Sequence, residues 1–222
     1  AATIISSTSG DAVTGNAATN AVIDDNSISN AGGSGTLLDN GSHNALIEDN
    51  IINTTGASAI KVVFSDASTI RNNAIGYTDR GVTSAGAYNI SDDGILLLFA
   101  SNGSGTRTTI TGNQITDTLS TGLGYGSGVH AAFSHHVDIG GSGADANIIS
   151  NADWDGVNVY NGSDINILDN AISNVVRSGV YLSDILGAVV ERNNIDGTAN
   201  WFGIDVATSD NVSVSENAIN NT

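Results

Sequence analysis

Five side chains suited to holding a sugar stand at recurring intervals in the second half of this 222-residue sequence: His130, Asn158, Tyr160, Tyr181 and Asp205. Tyrosine rings stack on the apolar faces of pyranoses, and imidazole, carboxamide and carboxylate groups exchange hydrogen bonds with hydroxyls. Together they predict a carbohydrate-binding face. The plainer alternative is an exposed strand face on which β-favouring tyrosines have gathered. A second chemistry is suggested by acidic turns: Asp153 and Asp155 flank Trp154, and Asp92 and Asp93 precede an apolar run. Carboxylates and turn carbonyls can hold Ca2+, so Asp153 and Asp155 are candidate calcium ligands. Neither an EF-hand loop nor the glycine-rich nonapeptide calcium repeat is present. His135 and His136 are adjacent, but two neighbouring imidazoles alone are too few for a firm metal site.

These residues need a scaffold that repeats, and a repeat is visible. An apolar-x-apolar-x-x-Asn-x-Ile pattern runs through AVIDDNSI (21–28), ALIEDNII (45–52), STIRNNAI (68–75), TTITGNQI (108–115), INILDNAI (165–172), AVVERNNI (188–195) and VSVSENAI (212–219), with a looser copy at 145–149. Its asparagines are Asn26, Asn50, Asn73, Asn113, Asn147, Asn170, Asn193 and Asn217, at steps of 24, 23, 40, 34, 23, 23 and 24. A unit of about 23 residues is too short for helical-hairpin repeats and fits three short strands and three turns. The apolar residues alternate with period two, and no stripe of helical period competes. The expected fold is therefore all-β: one single-stranded right-handed parallel β-helix over 1–222, of about 8 coils.

Three inward columns follow from the spacing: Ile60, Ile95, Val129, Val157, Val180 and Ile204; Ile23, Ile47, Ile70, Ile110, Ile139, Ile167, Val190 and Val214; and Ile28, Ile52, Ile75, Ile115, Ile149, Ile172, Ile195 and Ile219. The asparagines should form an amide ladder at a corner, in the left-handed backbone conformation Asn tolerates. Two residues past the strand-opening glycine, Lys61, Leu96, His130, Asn158, Tyr181 and Asp205 form the outward column that carries the candidate site. The long steps mark insertions at 76–93 and 116–127, with smaller ones at 100–107 and 140–146. The first two bring Tyr77, Tyr88, Tyr125 and Arg80 to one corner, and loops are where function concentrates.

Composition limits the partners. Six basic against 23 acidic residues give a net charge of −17. That argues against nucleic acid, which is bound by neutralising phosphates, and against acidic membrane surfaces. It is compatible with divalent cations. No apolar run is long enough to insert into a membrane. With no Cys there is no disulfide framework, and with no Met residue 1 is not a translation start. A processed chain or a segment of a longer one is expected. Neither end shows a cap over the apolar core, so the piece is expected either to be cut from a longer protein or to stack head to tail, which would build a fibre.

Residues 138–157, DIGGSGADANIISNADWDGV, resemble the recurring signature of large secreted bacterial surface proteins built of right-handed parallel β-helix repeats, within the pectate-lyase-like superfamily. The matching parts are Ile139-Gly140-Gly141, Asn147-Ile148-Ile149-Ser150 and Asp155-Gly156-Val157. The resemblance implies an extracellular or cell-surface location and a structural or adhesive role towards a polysaccharide or cell-surface glycan. Its enzymatic members imply an alternative, a polysaccharide lyase or C5-epimerase with a basic residue and a proton donor over a sugar groove, often with Ca2+. On that reading Lys61 and His130 lie on the right face, although Leu96 stands between them. His130 or Tyr181 would move protons at the sugar C5, and Asp205 or calcium would neutralise its carboxylate. A coil fold alone does not choose among these roles.

Overall fold

A computed structural model of the chain describes residues 3–76, 93–100, 106–119 and 125–222. The strands pair in parallel, each with its counterpart one coil away, as Val129–Ala132 does with Val157–Tyr160 and then with Val180–Ser183. The Asn-x-Ile strands, from Thr3–Thr8 to Ala218–Asn220, make one nine-stranded sheet. The first and second strands of the coils make a fourteen-stranded sheet. The result is a right-handed parallel β-helix, the hand that parallel crossovers take. The opening residues supply a paired strand, with Ile5 opposite Ile28.

All three apolar columns are in register. Ile60, Ile95, Val129, Val157, Val180 and Ile204 are successive partners, and Ile47, Ile70, Ile110, Ile139 and Ile167 are fully buried. Identical branched side chains stacked at strand spacing fill a thin core without gaps, each contributing roughly 1.5–3 kcal/mol. Glycine opens most of the first strands, with Ala59 in its place before Ile60–Val63, and it is there for closeness. A Cβ on Gly156 would stand 2.7 Å from the Gly179 carbonyl oxygen and 2.4 Å from Ile172 Cγ2, and Gly94, Gly128 and Gly179 meet the same obstacles.

The asparagine ladder is continuous. Asn170 Nδ2 donates to Asn193 Oδ1 and to the Ile139 carbonyl, each at 2.9 Å, while Asn170 Oδ1 accepts from Asn147 Nδ2 at 2.9 Å. Its backbone conformation corrects one expectation. The left-handed residue is the one before the ladder position (Asp25, Asp49, Asn72, Gly112, Asp169, Arg192 and Glu216), not the ladder asparagine itself. The turn reverses just ahead of the amide and the ladder asparagine itself keeps a negative φ; before Asn147 the preceding Ala146 is instead extended, at φ −64°.

Two further departures concern the strands and loops. In the later coils the first and second strands run together, as Val157–Leu168 and Val180–Glu191, bent at left-handed Asn161, Asp164 and Asp184. The insertion at 140–146 is a tight turn, with Gly140 at φ +89° and a 3-10 turn over Gly143–Asp145. Most of the insertions at 76–93, 100–107 and 116–127 lies outside the described residues, and with it Tyr77, Arg80, Tyr88 and Asp92.

Candidate functional site

The outward column of the first strand aligns as its spacing predicts. Lys61, Leu96, His130, Asn158, Tyr181 and Asp205 are consecutive register partners. Its exposure does not follow. Leu96, His130 and Asn158 are buried, His130 and Asn158 at 4% each, and only Lys61, Tyr181 and Asp205 reach solvent in part. The expected open sugar face is thus interrupted in the middle. The physical reason is a cover of aromatic rings from the turns. The Tyr125 ring packs edge-on 5.4 Å from the His130 imidazole, and 5.2 Å from the indole of Trp154.

Beneath this cover the polar side chains are bonded to one another. Asp93, immediately before the strand-opening glycine, is fully buried. Its Oδ1 accepts the Ser127 backbone N–H at 2.8 Å, and its Oδ2 lies 2.9 Å from His130 Nδ1. Asp155 holds the equivalent position two coils on. Its Oδ1 accepts the Ser178 N–H at 2.9 Å and its Oδ2 accepts Asn158 Nδ2 at 2.7 Å. Burial pushes the Asp155 carboxyl above the usual carboxylate range, and the Ser178 N–H, the Arg177 charge and the Asn158 amide pull it part of the way back. Asp155 therefore has both oxygens engaged inside the corner, while Asp153 lies half-buried in the turn before it. Among the described residues no group of three or more His, Cys, Asp or Glu is arranged to hold a metal ion.

The outer layer of the site was not foreseen. Trp154, Arg177 and Trp201 form their own column, stepped by 23 and 24 residues. The Arg177 guanidinium lies between the two indoles, 4.1 Å from each ring centre, and 5.5 Å from the ring of Tyr181. One Arg177 Nη is 3.8 Å from Asp155 Oδ2. Each cation–ring contact is worth about 0.5–2 kcal/mol, most where water is excluded. Trp201 and its neighbour Phe202 present ring surface to solvent at 48% and 56%, and Tyr125 at 42%. The repeat interval places the three in one column, since Arg177 and Trp201 follow Trp154 by one and two coil lengths.

Tyr160 belongs to a different cluster. Phe64, Phe99 and Phe133 follow the ends of successive first strands and stack with ring centres 4.9 and 5.0 Å apart, and Tyr160 packs edge-on at 5.5 Å. The structure thus sets Tyr181 in register with Asp205 and joins the Tyr181 ring to Trp201 through the Arg177 guanidinium. It closes His130 and Asn158 inside, and leaves Tyr160 and Lys61 apart from that pair. Elsewhere, His136 Nδ1 lies 2.7 Å from Asp164 Oδ2, to which Arg107 also donates at 2.6 Å, and His135 Nδ1 meets Ser163 Oγ at 2.8 Å.

Comparison with known proteins agrees with this architecture. Residues 88–222 match the family model described as right handed beta helix region. No curated protein sequence matches the chain. Among solved structures, the A-module of the Azotobacter vinelandii mannuronan C-5 epimerase AlgE4 is similar over 90% of this chain and 60% of its own, with a TM-score of 0.61 and 18% identity. A variant of the periplasmic alginate epimerase AlgG is similar over 90% of this chain and 49% of its own, with a TM-score of 0.58 and 15% identity. The chain spans only part of each, and identities this low describe a shared fold.

Proposed function

We propose, for a chain that belongs to the right-handed β-helix family, that it is a structural or adhesive segment working outside the cell, whose first-strand side holds carbohydrate without transforming it. One observation carries this reading. On that side aromatic rings are exposed while the imidazole of the column and the carboxylate that orients it are closed. Tyr125, Trp201 and Phe202 are 42%, 48% and 56% exposed, whereas Asp93 and His130 are 0% and 4%. A general base must come within hydrogen-bond reach of the proton it removes, and His130 lies under Tyr125. Exposed aromatic surface asks for no such access. A side chain already fixed by stacking and ladders also loses little freedom when it binds. The location follows the surface-protein resemblance of residues 138–157, and one fold neighbour is periplasmic, likewise beyond the cytoplasmic membrane.

A second reading, C5-epimerase or lyase chemistry, is favoured by the Asp93–His130 contact, since a carboxylate on Nδ1 orients an imidazole for proton transfer at its other nitrogen. In that reading His130 and Tyr181 transfer protons at C5, and Asp205 or a bound cation faces the uronate carboxylate. One experiment separates the two. The intact chain is run in native gels containing single polysaccharides, and each polymer is afterwards assayed for unsaturated product by ultraviolet absorbance and for C5 inversion by proton NMR. The binding reading expects retardation by at least one glycan, with the polymer unchanged. Turnover that disappears in His130→Ala would replace it with the enzymatic reading, and retardation by no glycan would remove it.

A further inference from the structure

Which glycan fits follows from where the charges lie. We propose that the aromatic patch around Trp201 takes a neutral, hydroxyl-rich polysaccharide and rejects polyuronates; this rests on the carbohydrate reading above and narrows it. A polyanion needs cations that are not already engaged. Among the described residues the arginines are engaged. Arg71 pairs with Glu48, Arg107 with Asp138 and Asp164, and Arg192 with Asp169 and Glu191. Arg177, the cation inside the patch, has both faces covered by indoles at 4.1 Å and lies 3.8 Å from a carboxylate oxygen of Asp155. Lys61 is half-buried and stands four register steps from Tyr181, beyond Leu96, His130 and Asn158.

The patch itself presents ring surface and acceptor oxygens. Trp201 and Phe202 are edge-to-face, with ring centres 6.4 Å apart, which turns their faces in two directions. Asp205, partly open to solvent, stands in register with Tyr181, whose ring shares the Arg177 guanidinium with Trp201. A carboxylate there accepts hydrogen bonds from sugar hydroxyls but repels a uronate. The wider field adds to this, since 23 acidic residues face six basic ones and the field extends about 8 Å at physiological ionic strength. Rings that stack on C–H faces together with an acceptor for O–H groups match a neutral hexose polymer on both counts.

The test is affinity electrophoresis of the full chain in gels containing a neutral glucan, a neutral mannan, alginate or polygalacturonate, each with low salt, with 0.5 M NaCl and with added Ca2+. The expected result is retardation by a neutral polymer that changes little with salt, and none by the polyuronates. Trp201→Ala should weaken that retardation about tenfold, equivalent to about 1.4 kcal/mol of lost ring contact. Trp201→Phe should restore most of it, and Asp205→Asn should change it less than about threefold, since a carboxamide oxygen still accepts hydroxyls. Circular dichroism of each variant confirms that the coils are intact. Retention of polyuronate at low salt that is lost at high salt, or retention only with Ca2+, overturns the neutral-glycan assignment while leaving carbohydrate binding in place. Retention of none of the polymers removes the carbohydrate reading itself.

Discussion

Truncating one rung of the ladder, Asn170→Ala, probes the fold where its hydrogen bonds are most interdependent. The Asn170 side chain takes part in three bonds, each of 2.9 Å: it accepts from Asn147 Nδ2, and donates to the Ile139 carbonyl and to Asn193 Oδ1. Alanine leaves the Ile139 oxygen and one Asn147 N–H without those partners in a buried corner. Asn193 Oδ1 keeps the Asn170 backbone N–H, also at 2.9 Å. Two stranded buried groups at about 1–3 kcal/mol each, less whatever relaxation recovers, give an expected loss of about 2–5 kcal/mol. Asn26→Ala is the internal control. Asn26 is only part-buried, and its amide donates to the Asp24 carbonyl and to Asn50 Oδ1. Its truncation should cost about 1 kcal/mol. Urea unfolding followed by circular dichroism measures both. A loss for Asn170→Ala within a few tenths of that for Asn26→Ala would refute the cooperative ladder.

Further expectations concern charge, packing and closeness. The Asp155 carboxyl is raised by burial, so its contribution to stability is present at low pH and is lost as pH rises through its folded value. Asp155→Asn, with the Asn158 amide turned to accept, should therefore gain on the wild type as pH increases from 4 to 8 in thermal melts. The opposite slope would mean that Arg177 makes the ionised form the favoured one. Asp164 behaves inversely: hydrogen bonding from His136 and the Arg107 charge hold its carboxyl below the usual range, so its contribution is lost as pH falls through that lowered value. Asp164→Asn should flatten the acid side of the stability profile, and an unchanged profile would discount that cluster. Phe99→Ala removes the middle ring of the Phe64–Phe99–Phe133 stack and should cost about 2–4 kcal/mol, read by urea unfolding, with Phe99→Leu recovering more than half. Gly156→Ala should destabilise by about 1–3 kcal/mol because its Cβ meets the Gly179 carbonyl and Ile172, and a neutral outcome would mean that adjacent coils can separate there.

The scaffold was legible in the sequence because its determinants repeat. Ile149, Ile172 and Ile195 recur at the 23-residue coil spacing, and the ladder asparagines mark one corner in every coil, so the pattern carried the register even across the longer steps. The site was less legible for a physical reason. Period two tells which side of a strand a residue faces but not what covers it. His130 and Asn158 do stand in the outward column, yet Tyr125 packs over His130 from an insertion that has no period of its own, and Asp155 holds the Asn158 amide in the corner. The Asp93 and Asp155 corner contacts were also hidden. These carboxylates alternate with serines in one column and bond to the next coil's backbone, so they resembled loose acidic turns. The Trp154–Arg177–Trp201 column was recoverable from its spacing, but three residues of two types do not read as one column until the guanidinium is seen between the rings.

The decisive measurement is a calorimetric titration of the intact chain with whichever glycan retards it, followed by proton NMR of the recovered polymer. Saturable binding, weakened about tenfold by Trp201→Ala and unaffected by His130→Gln, with the polymer returned unaltered, is the predicted result. Altered polymer whose formation depends on His130 would contradict a binding face that leaves its sugar unchanged.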